Sequence, residues 1–131
     1  MKRKILSIAL TLVVFLSCMP TVSACHWIVG RVDDSTDGVS ANDRTVMIYP
    51  FGYKEKYNMI GIIGKNGDSK TDNYFMFDIE QLCPVNIEKA IGVVIIAEVI
   101  DNGDGYKAPL TYTILTGNGF DETIPIELRK Y

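Results

Sequence analysis

Ala90-Ile91-Gly92-Val93-Val94-Ile95-Ile96-Ala97-Glu98-Val99-Ile100 is the stretch that decides the fold. Both parities are apolar apart from Glu98, and β-branched residues dominate. The run therefore reads as a central strand, buried from both sides or nearly so. Outward from it the apolar pattern has period two almost everywhere. His26 to Val32, Thr45 to Phe51, Met59 to Ile63, Tyr74 to Ile79, Thr111 to Thr116 and Thr123 to Leu128 join Gly92 to Ile100 as short runs rich in β-branched and aromatic residues. Between them lie Asp33 to Asp43, Lys65-Asn66-Gly67-Asp68, Asp101-Asn102-Gly103-Asp104-Gly105 and Gly117-Asn118-Gly119, residues that suit tight turns. Ile79 to Ala90 is the one helix-like piece, and Pro84 limits it to a turn or crossover loop. The expectation is an all-β, seven-stranded, immunoglobulin-like sandwich.

Ahead of the strands, Lys2, Arg3 and Lys4 precede an apolar core from Ile5 to Leu16, and Pro20 to Ala24 end in Val22-Ser23-Ala24. That architecture reads as a secretory signal peptide, an N-terminal signal helix over residues 1–24. Its apolar run is shorter than the roughly 20 residues of a spanning helix. The expectation is export, to the extracellular space or the cell surface, with residues 25–131 forming a single β-sandwich domain.

Cys25 opens two routes. Val22-Ser23-Ala24-Cys25 also reads as a lipobox, in which Cys25 is lipidated and tethers the domain to the membrane. Ser17 to Thr21, with Pro20, separate the apolar core from that motif, as ordinary cleavage prefers. With Cys18 lost in the leader, Cys25 and Cys83 remain, and in an oxidising compartment an even pair is most simply a disulfide. Such a bridge closes a long loop and is worth about 4 kcal/mol, whereas acylation of Cys25 forbids it.

Three of the 13 basic residues lie in the leader and all 16 acidic ones after it, so residues 25–131 carry a formal −6. That balance excludes a basic nucleic-acid footprint. It leaves contact with the membrane to the signal peptide or to a lipid anchor.

Trp27-Ile28-Val29-Gly30-Arg31-Val32, Asp37-Gly38-Val39-Ser40-Ala41-Asn42 and Thr45-Val46-Met47-Ile48-Tyr49 resemble the opening of carboxypeptidase-regulatory-like and Cna-B-like (transthyretin-like) sandwiches. Asn66-Gly67-Asp68-Ser69, Thr71 to Asp78, Gly119-Phe120 and Ile126-Glu127-Leu128 resemble uncharacterised secreted surface proteins of archaea. The resemblance spans nearly all of residues 25–131. Its motifs are structural, so it implies location and a transthyretin-like fold rather than an activity. Where those proteins often carry a cysteine after the aspartate matching Asp78, this chain has Ile79.

A catalytic set is not legible. His26 is the only histidine, with neither serine nor carboxylate near it in sequence, and is expected as an exposed imidazole beside a disulfide. Cys25, His26 and Cys83 lack both CxxC spacing and a fourth ligand. Asp78 and Glu80 share one face of a strand with Tyr74 and Met76, opposite Phe75, Phe77 and Ile79, and mark a solvated face rather than a catalytic pair.

Two acidic loops suggest weak calcium binding. Asp33, Ser35, Asp37 and Gly38 match the first half of a calcium loop, with Arg44 where the bidentate glutamate belongs, and Asp101 and Asp104 offer a second group. Tyr53, Lys54, Lys56 and Tyr57 form an aromatic and charged loop, a candidate binding surface. The expected function is non-enzymatic: a structural or adhesive module that contacts a cell-envelope component or itself. The alternative is a small carbohydrate- or peptide-binding module.

Overall fold

The structure is a computed structural model that describes residues 26–79 and 91–131. The leader, Cys25, Glu80, Cys83 and Pro84 lie outside the described residues, and with them the cleavage, lipidation and disulfide expectations.

Among the described residues ten strands follow in order: β1 (Trp27–Asp33), β2 (Thr45–Pro50), β3 (Met59–Ile62), β4 (Tyr74–Asp78), β5 (Val94–Val99), β6 (Tyr106–Lys107), β7 (Thr111–Ile114), β8 (Phe120–Glu122), β9 (Ile126–Glu127) and β10 (Arg129–Lys130). No α-helix occurs among the described residues, which are all-β. Each of the seven expected runs contains a strand. The count is nevertheless ten, because β6, β8 and β10 are only two or three residues long, too short for alternation to register.

One sheet runs β4-β1-β8, with β9 also on β1, and the other runs β3-β2-β5-β7; β6 and β10 form a separate pair. β5 is thus interior to its sheet, as its apolar run implied. β8 and β9 lie in succession along one edge of β1, both parallel to it. Between them Thr123, Ile124 and Pro125 stand against only Gly30 and Arg31, a one-residue bulge in the register. Thr123 donates its N–H to Val29 O at 2.9 Å, Pro125 has no N–H to donate, and the expected strand from Thr123 is therefore interrupted at the bulge and resumes at Ile126.

Alternation places Val46 and Ile48 of β2 and Ile95 and Ala97 of β5 against Ile28 and Val32 of β1 and Phe75 and Phe77 of β4, all buried in one core cluster. The Phe75 and Phe77 rings meet at 5.9 Å with a tilt of 58°. Each such fully buried Val, Ile or Phe side chain is worth about 1.5–3 kcal/mol. Tyr74, Met76 and Asp78 are half-buried on the opposite face of β4, so the expected division of that strand holds.

Polar side chains fasten the loops at the open end. Asn42 Oδ1 accepts the backbone N–H of Asn73 at 2.7 Å, and Asn73 Nδ2 donates to Val32 O and Asp34 Oδ1, both at 2.8 Å. Asn73 holds φ at 70°, a left-handed conformation that asparagine tolerates better than most residues.

Candidate functional site: the outer face of the β3-β2-β5-β7 sheet

Strand register sets the composition of this face. With Val46, Ile48, Ile95 and Ala97 turned inward, the residues between them turn out. Ile60, Met47 and Glu98 form one row across β3, β2 and β5; Ile62 lies across from Thr45; Tyr49, Ile96 and Tyr112 form a row across β2, β5 and β7; Val94 lies across from Ile114. Phe51 extends the last row by donating its N–H to Val94 O at 2.9 Å, and Leu110 continues the alternation of β7. An outward sheet face is ordinarily polar. This one exposes Phe51 (71%), Ile60 (62%), Leu110 (60%), Ile114 and Tyr112 in adjoining rows. The apolar character that made β5 look buried on both faces belongs instead to a surface, with Val94 and Ile96 half-buried.

One ion pair sits in the middle. Lys54 Nζ donates to Glu98 Oε1 at 2.9 Å, Tyr49 Oη donates to the same oxygen at 3.1 Å, and the ammonium lies 5.5 Å from the Tyr49 ring centroid. The lysine hydrogen bond, followed by that of Tyr49, holds the Glu98 carboxyl below its ordinary range, and Glu98 raises Lys54 in return. Tyr49 is raised, chiefly by burial and then by its bond to Glu98. The charges of the face are therefore closed on each other.

The loop carrying Tyr53, Lys54, Lys56 and Tyr57 borders this face. A turn of backbone bonds, Tyr57 N to Tyr53 O at 2.9 Å and Lys56 N to Tyr53 O at 3.1 Å, brings the two tyrosine rings to 6.2 Å. Only Tyr53 and Lys56 of the four are exposed, and both meet Tyr57, whose ring lies 5.3 Å from the Lys56 ammonium. Tyr57 packs partly against the core, and Lys54 turns back over the sheet. Nor is the loop the sole exposed aromatic surface, since Phe51, Tyr112, Phe120 and Tyr131 are exposed as well.

The four carboxylates considered for calcium are each engaged by the protein. Asp33 forms an ion pair with Arg31 at 3.0 Å. Asp37 accepts from Ser35 Oγ and Tyr106 Oη, both at 2.5 Å, bonds that lower its carboxyl in that order of weight. Asp101 accepts from the Gly103 N–H at 2.9 Å and Tyr131 Oη at 2.8 Å. Asp104 is held by Arg44, which is nearly buried, also donates to Ser40 O, and so ties the two acidic loops together. The residue that broke the calcium pattern at its twelfth position thus supplies the cation itself. No group of three or more metal-ligating side chains occurs among the described residues. A cleft of about 370 Å³ runs beside Asp37, lined also by Ser35, Thr36 and Glu127 to Lys130.

His26 differs from expectation. It is 3% exposed rather than an exposed imidazole, and its Nε2 lies 2.9 Å from Asp121 Oδ2. Asp121 also accepts from Thr116 Oγ1 at 2.8 Å and Thr116 N at 3.1 Å. The pairing of β1 with β8 brings the two together across 95 positions, a proximity that local sequence could not show. Thr116 bonds the aspartate and not the imidazole, so the group holds the start of β1 rather than forming an activated nucleophile.

Compared with family models, curated proteins and solved structures, the chain matches none.

Proposed function

We propose that the protein is a non-enzymatic module of the cell exterior, a secreted or surface-held immunoglobulin-like or transthyretin-like sandwich that works by contact in the envelope. The observation that carries this reading is the register-aligned apolar face of Phe51, Ile60, Leu110, Tyr112 and Ile114. Contiguous apolar surface of this kind, rimmed by polar loops, marks a place of association. The outward rows of the second sheet are mixed, with Phe120, Trp27 and Asp78 in one and Glu122, Val29 and Met76 in the next, so the first sheet carries the reading. The leader architecture supports export, and the −6 charge of residues 25–131 leaves apolar contact as the readier means of adhesion.

The test is co-sedimentation of the secreted protein with purified envelope, alongside a Phe51→Ser/Ile114→Ser variant. Wild-type binding that falls severalfold in the variant is expected. Absence of wild-type binding overturns an adhesive role, and undiminished binding by the variant moves the role off this face. Saturable binding to a defined glycan would instead favour the carbohydrate-binding alternative.

A further inference from the structure

The apolar face has the shape and charge pattern of one half of a two-fold contact. It is a plate of four strands, roughly 15 Å across and 20 Å along β2 at ordinary strand spacing and rise. The plate is therefore roughly 300 Å² before the Phe51–Asn58 loop is added, the scale of a small, weak interface rather than a permanent one. A sheet face accepts another sheet face, and stacked sheets lie about 10 Å apart. The centre decides which plate. Glu98, 29% exposed at its side chain, would oppose its own copy if it stood alone, but Lys54 closes it at 2.9 Å. A two-fold axis lying in the contact plane and crossing the Lys54–Glu98 vector sets each ammonium over the partner's carboxylate, giving four alternating charges ringed by apolar side chains. Residues 25–131 carry a formal −6, so two copies repel on average as they approach. On this face the charges cancel within each copy and attract between copies.

We propose that this face is where two copies of the chain meet, with Phe51, Ile60, Tyr112 and Ile114 as the apolar contact and Lys54 with Glu98 as the register-setting pair. The proposal rests on the reading of the face as a contact surface and names its partner. A symmetric contact of this kind is isologous, so each substitution acts twice.

Sedimentation equilibrium of the secreted full chain, from micromolar to submillimolar concentration, tests it. The wild type is expected to show a monomer–dimer equilibrium, and Ile114→Arg is expected to be monomeric with an unchanged circular-dichroism melt at low concentration. Lys54→Glu puts two carboxylates on each face and should weaken association about tenfold or more, since like charges juxtaposed in an interface cost several kcal/mol. The exchange Lys54→Glu/Glu98→Lys keeps the pair with its sense reversed and should restore association to within a few fold. A wild type monomeric throughout overturns the proposal. So does a dimer indifferent to Ile114→Arg, or a charge exchange that fails to rescue while the variant folds. If Lys54→Glu does not fold, Ile114→Arg alone decides. A monomer that still sediments with envelope leaves the contact reading standing and removes only the second copy.

Discussion

His26 Nε2 stands 2.9 Å from Asp121 Oδ2, and both side chains are almost fully buried. The bond fixes the first residue before β1 to the strand that lies parallel beside it. Asp121 also satisfies the Thr116 backbone and hydroxyl, so a single carboxylate collects three donors from two distant segments. Asp121→Ala strands those groups, and leaving a buried donor unsatisfied costs about 1–3 kcal/mol. Urea unfolding should show at least that loss, with Asp121→Asn less affected. A loss below about 0.5 kcal/mol would show that water replaces the carboxylate and that β1 is held by its backbone alone.

Gly67 is fixed by its neighbour rather than by its backbone angle. A Cβ built there would lie 1.8 Å from Ile62 O, a backbone atom that cannot rotate away. Gly67→Ala should therefore displace the loop from β3, at a cost of about 1–3 kcal/mol or more, as overpacking does. Melting temperature and the amide exchange of β3 report it. An alanine variant as stable as the wild type would mean that this turn lies farther from β3 than the structure has it.

Much of this architecture was legible in the chain. Period two in Trp27–Asp33, Thr45–Pro50 and Tyr74–Asp78 carries the faces of three strands directly, because one side of each is core. Val94–Val99 was legible as a strand and as interior to its sheet, but not in its surroundings. Alternation is silent when the solvent side is also apolar, and only the register with Tyr112 and Ile114 shows an exposed face there. The Lys54–Glu98 pair and the His26–Asp121 pair were illegible for a different reason. Their partners are 44 and 95 positions apart, and only sheet topology sets such distances. Arg44 lay between these cases, since its failure to match a calcium loop was a visible signal whose meaning required Asp104 beside it.

Ile95 lies midway along β5, fully buried, with Pro50 and Thr113 as its cross-strand neighbours. Ile95→Ala should cost about 2–5 kcal/mol, the range of large-to-small changes in packed cores. Chemical denaturation with an unchanged m-value is the measurement. A loss under about 1 kcal/mol would place β5 at the periphery and reverse the faces assigned to Ile95 and Ile96, and with them the apolar outer surface.

The dependence of stability on pH follows from the carboxylate bonds. Glu98, bonded first by Lys54, is lowered from its ordinary 4.5. Asp37, bonded first by Ser35, Asp101 by the Gly103 N–H, and Asp104 by Arg44 are all lowered from 3.8. A depressed acid contributes stability above its unfolded value and loses it as pH falls through its folded value, so stability should decline below about pH 4.5. On the alkaline side Tyr106, bonded to Asp37, and Tyr131, bonded to Asp101, are raised from 10.0. Their contribution is complete below pH 10 and disappears as pH rises through the folded values. Urea midpoints should accordingly be level between about pH 5 and 9 and fall on both sides. Tyr106→Phe isolates one of these bonds. It should be less stable than the wild type across the plateau, and the difference should narrow in acid, where Asp37 takes up a proton, and in alkali, where the wild-type phenol loses one. A difference that stays constant across the whole range would assign the loss to the packing of the ring and remove the Tyr106–Asp37 bond as the origin of the pH dependence.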